Sequence, residues 1–181
     1  LLPKLLLLYR CRRVLRNYST LVCPNTNRDI EATAACLNAL GAQISRTETA
    51  YHITPIQSIP DSAILPCGES GSTLRFLIPV VLALGIPAHF VGAKRLFERP
   101  LPLSPLWEEM QRMGCELERL TYNTIRCRGK LIPGEYCISG NISSQFISGL
   151  EFALPLVSPD SKLTVTGKLE SRPYIEMTRQ A

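Results

Sequence analysis

The chain has 181 residues, 45% of them hydrophobic, enough to bury the core of one large domain or two small ones, which excludes disordered, collagen-like and coiled-coil classes. The formal charge of +5 is unevenly placed: six of the 20 basic residues and no acid lie in residues 1–28, leaving 14 basic against 15 acidic residues in a nearly neutral remainder. A nucleic-acid binder would spread its basic surface over the folded body, so that class is disfavoured. Seven Cys without a CxxC pair, and His52 and His89 standing alone, argue against structural zinc and for reduced thiols in the cytoplasm.

In chain order, Leu1 to Leu8 is apolar but broken by Pro3 and Lys4, then followed by Arg10, Arg12, Arg13 and Arg16. It is too short to span a bilayer, and its charge follows the apolar run where a signal peptide would lead with it. Residues 1–18 are therefore expected to be an aberrant or poorly ordered basic edge, and the absence of an opening Met suggests a piece of something longer. Asn27 to Leu40 predicts an amphipathic helix, with Ile30, Ala34 and Leu37 inward, a cap at Asn27 and Gly41 as the stop. Ser70 to Leu84 repeats the scheme, with Pro79 expected to kink it and Gly85 as its stop. A third helix is expected to start at Ser104-Pro105 and end at Gly114, a fourth to run from Ser143 or Ser144 through Leu154, and a fifth to begin at Pro173. Strands are expected at 43–44, 51–53, 88–91, 116–117, 124–127, 136–138 and 163–166. This alternation reads as α/β or α+β.

Two stretches echo each other 73 residues apart: Leu37-Asn-Ala-Leu-Gly41-Ala-Gln-Ile44 and Met110-Gln-Arg-Met-Gly114-Cys-Glu-Leu117. At an offset of 72, the turn at Cys67 to Leu74 falls on that at Ser139 to Phe146. A repeat of about 70 residues predicts pseudo-symmetric copies of one mixed unit. The helix entered at Ser171 would open a further copy, and the chain stops at Ala181 after barely two turns of it, as a truncated product would.

A Gly- or Ser-rich turn entering a helix is a ready seat for phosphate or carboxylate, because the first N–H groups are unpaired and the helix end is partially positive. Gly71 lets an anion approach the backbone, Ser143 and Ser144 add hydroxyls, and Gln145 can donate and accept. Arg99, in Phe-Glu-Arg-Pro-Leu-Pro, could grip an anion through two parallel hydrogen bonds, while Arg75 and Arg172 could equally be solvated or salt-bridged. Ordinary capping and anion binding both remain open for the turns. No Ser/His/Asp set, paired catalytic carboxylate or metal cluster is legible.

The stretches Gly68-Glu-Ser-Gly-Ser-Thr-Leu-Arg75-Phe, Glu98-Arg-Pro100, Gly140-Asn-Ile-Ser-Ser-Gln145-Phe and Leu169-Glu-Ser-Arg-Pro-Tyr-Ile-Glu-Met-Thr178 closely resemble the 5-enolpyruvylshikimate-3-phosphate synthase family. The resemblance runs from about Ser19 onward and implies two similar domains of three βαβαββ units each, with residues 19–181 an incomplete first domain and the second domain absent. It implies transfer of the enolpyruvyl group of phosphoenolpyruvate to the 5-hydroxyl of shikimate 3-phosphate in aromatic amino-acid biosynthesis. Ser143, Ser144, Gln145, Ser171 and Tyr174 would hold shikimate 3-phosphate, while Gly71, Arg99 and Gln145 would contact phosphoenolpyruvate. The family's Lys-Ser-x-x-x-Arg motif has only Pro3-Lys4-Leu5 as its counterpart, making Lys4 a marginal candidate, and Glu69 and Ser72 replace the usual Asn and Thr. The resemblance further implies no metal or organic cofactor, no nucleic-acid or membrane partner, a cytoplasmic location, a monomeric full-length form and acid/base residues beyond this chain, so that the chain alone should be inactive. The related transferase acting on UDP-N-acetylglucosamine is disfavoured by the Ser-Ser-Gln and Ser-Arg-Pro-Tyr signatures, and a non-catalytic anion-binding remnant is the remaining alternative.

Overall fold

The computed structural model describes residues 18–98, 103–169 and 171–180. Strand β1 (Ser19–Val22) leads to helix α1 (Arg28–Ala39) and the strands β2 (Gln43–Arg46) and β3 (Ala50–Thr54). Next come β4 (Ala63–Gly68), α2 (Gly71–Leu84), β5 (Ala88–Gly92), the short α3 (Lys94–Glu98), α4 (Leu106–Arg112), β6 (Glu116–Thr121) and β7 (Thr124–Arg128). The chain continues through β8 (Glu135–Ser139), α5 (Ser144–Val157), β9 (Lys162–Thr166) and α6 (Arg172–Gln180).

Sheet order exposes the repeat. β4, β5, β7 and β6 lie side by side, with β4 parallel to β5 and β7 antiparallel to both of its neighbours. This is a whole βαβαββ unit with α3 added. The antiparallel sheet β1-β3-β2 reproduces the β5-β7-β6 half of it, and the parallel pair β8-β9 reproduces the β4-β5 half. The echo extends to single bonds. In α1 the N–H of Gly41 donates to Asn38 O and that of Ala42 to Leu37 O; in α4 Gly114 donates to Gln111 O and Cys115 to Met110 O. Gly41 and Gly114, at φ 98° and 85°, hold the left-handed turn that ends both helices.

Helices α2 and α5 form the centre. α2 is apolar around most of its circumference and buries 12 of its 14 residues, the pattern of a helix surrounded by protein. It runs through Pro79 as one helix. Proline has no N–H, so the Arg75 carbonyl four residues earlier loses its usual intrahelical partner, and Gly149 of α5 packs against that carbonyl. Phe76 and Phe152 meet edge to face at 6.1 Å just beyond. The pairs 75/149 and 76/152 advance together, so the two helices run in the same direction and begin at the same end.

Two strands, β1 and β4, lie outside the expected set, and the third helix is capped differently from the expectation. Pro105, not Ser104, holds the N-cap of α4 and provides no side-chain cap, because its ring has no acceptor. Its inward residues Leu106, Met110 and Met113 are buried as the spacing predicts. No described helix is long and apolar enough to cross a membrane.

Candidate functional site

The shared helix direction brings three helix N-termini to one cleft of about 410 Å³. Its lining includes Asp29 from the first turn of α1, Gly71 and Ser72 at the start of α2, and Gln145 from the first turn of α5. Arg75, one turn into α2, and Arg95 of α3 add cationic side chains, and Glu69 adds a second carboxylate.

Each helix start is built by a local cap. Asn27 Oδ1 accepts from the Ile30 N–H at 3.0 Å, Ser70 Oγ from the Thr73 N–H at 3.3 Å, and Ser143 Oγ from the Gln145 N–H at 3.3 Å. Such caps contribute about 1 kcal/mol each and fix the direction of the remaining amides. A buried hydroxyl pair, Thr33 with Thr73 at 2.8 Å, clamps α1 to α2 close to the cleft.

The electrostatic balance decides what the cleft can take. Among the described lining residues there are two guanidinium groups and two carboxylates, whose formal charges cancel. The surplus comes from the helices, each contributing roughly half a positive charge at its N-terminus, or about +1.5 for three converging ends. The cleft is therefore suited to anions, with donors supplied by backbone amides.

Arg75 is the most constrained group. The residue is only 8% exposed, its Nη1 donates to Gln145 Oε1 at 2.7 Å, and its guanidinium lies 5.4 Å from the centre of the Phe146 ring. Burial pushes it below its ordinary pKa, yet a guanidinium stays protonated in proteins. An apolar recess of about 210 Å³ adjoins the cleft, sharing Gly71, Arg75 and Leu96 and continuing over Phe97, Trp107 and Ile125. Arg119 donates to the carbonyls of Phe97, Thr121 and Tyr122 there.

Of the expected site residues, Gly71 and Gln145 line the cleft. Ser143 is the N-cap of α5, and Ser144, 9% exposed, is its first residue. Ser171 and Tyr174 do not line the cleft and sit at the head of α6. There Ser171 takes φ 57°, a strained conformation for a non-glycine residue, and its carbonyl accepts from the Tyr174 N–H at 3.0 Å. α6 is docked beside α5 by the buried Ser148–Thr178 hydroxyl pair at 2.7 Å and by Arg179 on Glu151 at 2.7 Å. One turn back from that hydroxyl pair on each helix are Ser144 and Tyr174, so both heads lie at the same end. Lys4 and Arg99 lie outside the described residues.

Sequence reasoning missed Arg95 and left Arg75 unassigned. The signal for Arg75 was its position one turn after Gly71; for Arg95 it was the Lys94-Arg95 pair just after β5. No group of three His, Cys, Asp or Glu able to hold a metal occurs among the described residues.

Residues 15–181 match the family model described as EPSP synthase (3-phosphoshikimate 1-carboxyvinyltransferase). The chain belongs to the EPSP synthase family. It is 38% identical over 172 residues to a 3-phosphoshikimate 1-carboxyvinyltransferase of Clostridium perfringens, covering 93% of this chain and 40% of that protein. It is 36% identical over 155 residues to one of Brachyspira hyodysenteriae, covering 85% and 36%. An EPSP synthase structure from Acinetobacter baumannii superposes with a TM-score of 0.72 at 15% identity, over 97% of this chain and 40% of that one. The enolpyruvyl transferase NikO from Streptomyces tendae gives 0.58 at 14% identity, over 98% and 42%. These likenesses confirm the enolpyruvyl-transferase fold that the resemblance implied and with which the repeat agrees. The chain spans about 40% of the length of the first curated EPSP synthase relatives it matches.

Proposed function

We propose that this chain forms most of the first domain of a cytoplasmic EPSP synthase and carries half of its substrate seat. Gln145, Ser143 and Ser144 at the head of α5, with Ser171 and Tyr174 at the head of α6, take shikimate 3-phosphate. Gly71, Arg99 and Gln145 take phosphoenolpyruvate, with Arg95 contributing to the positive field. The observation that carries this reading is the convergence of three helix N-termini on a cleft lined by Gly71, Arg75, Arg95 and Gln145.

In the reaction, the 5-hydroxyl oxygen of shikimate 3-phosphate bonds to C2 of phosphoenolpyruvate as C3 gains a proton and the hydroxyl loses one. Breaking the C2–O bond to phosphate, with loss of a proton from C3, then yields the enolpyruvyl ether. This chain's part is to hold two phosphorylated anions side by side through amides, hydroxyls and guanidinium groups. Proton transfer belongs to residues beyond it, so the chain alone should bind without turning over.

Trp107, the only Trp, borders the recess that shares Arg75 with the cleft. Titration with shikimate 3-phosphate is expected to change Trp107 fluorescence saturably, with an affinity of about millimolar or better, since half a site lacks the closure that expels water. Absence of both a fluorescence change and heat of binding at about 10 mM ligand, a free energy near −3 kcal/mol or weaker, would contradict the reading.

A further inference from the structure

Arg75 presents an unusual balance: the cation of a buried residue meets, among the described residues, a neutral amide oxygen and an aromatic ring but no carboxylate. Buried charges are ordinarily paired. A guanidinium has five N–H donors and no acceptor, so the atom of Gln145 facing it can only be the carbonyl oxygen. The same planar amide must then turn its NH2 group away from Arg75, and Gln145 is a lining residue of the cleft.

We propose that Arg75 is a positioning residue that locks the Gln145 amide with its oxygen on Nη1, so that Gln145 turns its NH2 donors, not its oxygen, to a cleft ligand. The residue type alone left Gln145 able to donate or accept; the Arg75 contact holds the oxygen at the guanidinium and leaves both amide N–H donors for a ligand. The inference rests on reading the cleft as an anion seat and narrows what Gln145 selects. Phosphate and carboxylate oxygens, which only accept, are favoured there over ammonium or guanidinium groups, which only donate. The 2.7 Å bond and the Phe146 ring fix the guanidinium from two directions, so the amide is oriented before any ligand arrives.

The test combines thermal melting with calorimetric titration of shikimate 3-phosphate on the parent chain and three variants. Gln145→Glu puts a carboxylate against Arg75 and is expected to raise Tm while weakening shikimate 3-phosphate binding by more than about tenfold, a split that a purely structural partner of Arg75 would not give. Arg75→Lys retains a cationic donor and is expected to bind within about fivefold of the parent, whereas Arg75→Met is expected to lose about tenfold or more. A Gln145→Glu chain melting at or below the parent Tm would overturn the amide orientation. Unchanged binding in a folded Arg75→Met chain would overturn the positioning role. If the parent itself binds nothing, the proposed function fails separately, and the Gln145→Glu melting shift still decides the orientation.

Discussion

Glu69 lies on the rim of a cleft whose positive surplus is only about +1.5, supplied by three helix ends. One exposed carboxylate there subtracts from the field that an arriving anion feels. Glu69→Gln is therefore expected to tighten shikimate 3-phosphate binding by about two- to fivefold, with the gain shrinking as salt rises. Calorimetry at low and high ionic strength checks it, and weaker binding by the variant would contradict the charge balance. Glu109 is a carboxylate of a different kind. It is only 7% exposed, and it accepts two hydrogen bonds from Arg112 at 2.8 Å and one from the Cys137 N–H at 2.5 Å, tying α4 to β8. Burial opposes its charge, but the Arg112 and Cys137 bonds prevail and hold its pKa below the ordinary value of 4.5. A carboxyl depressed in the folded state stabilises above its unfolded pKa, and that stability is lost as pH falls through the folded value. Glu109→Gln is thus expected to melt lower than the parent at pH 7 and to lose less Tm on acidification below about pH 4.5, measured by thermal melts across pH. Parallel pH profiles for the two chains would contradict this.

Among the elements, α2 and α5 set the position of the cleft, and Gly149 sets their approach. A Cβ at Gly149 would stand 2.7 Å from the Arg75 carbonyl and 3.1 Å from Pro79 Cγ, so the helices would have to separate. Gly149→Ala is expected to cost about 1–3 kcal/mol of stability in denaturant unfolding, and to weaken anion binding as Gln145 moves away from Arg75. The three long helices α1, α2 and α5 were legible because their period and caps agree: Asn27, Ser70 and Ser143 each make the predicted cap bond. Strand β4 was hidden because Pro66 sits within it, between the Pro-rich 55–60 stretch and the Gly-rich turn. It occupies the edge of its sheet, where a residue without an N–H can be accommodated. β1 is four residues long and adjoins the basic segment, so period alone could not reveal it. The helix starts of the candidate site were legible where backbone chemistry defines them, as at Gly71 and Ser143. The contact of Arg75 with Gln145 was not, because the two are 70 residues apart in sequence and only the packing of two helices joins them.

At the scale of the molecule, one complete βαβαββ unit flanked by two partial copies explains why helix ends gather in one place: equivalent helices, packed in the same sense, begin together. The same symmetry explains why so large a share of an anion seat can be built from turns that look like ordinary caps. The chain spans about 40% of the length of the first curated EPSP synthase relatives, and on the proposed reading, in which it forms one wall of the seat, purified chain given both substrates is expected to release no phosphate above background. Measurable turnover would show that the acid/base groups lie within it. A two-dimensional amide NMR titration with shikimate 3-phosphate tests the proposed anion seat atom by atom. Concerted saturable shifts of the backbone N–H signals of Gly71, Ser144 and Gln145, together with the Gln145 side-chain NH2, are predicted. Saturation confined to resonances elsewhere, with those four signals unmoved, would contradict an anion seat at the converging helix ends.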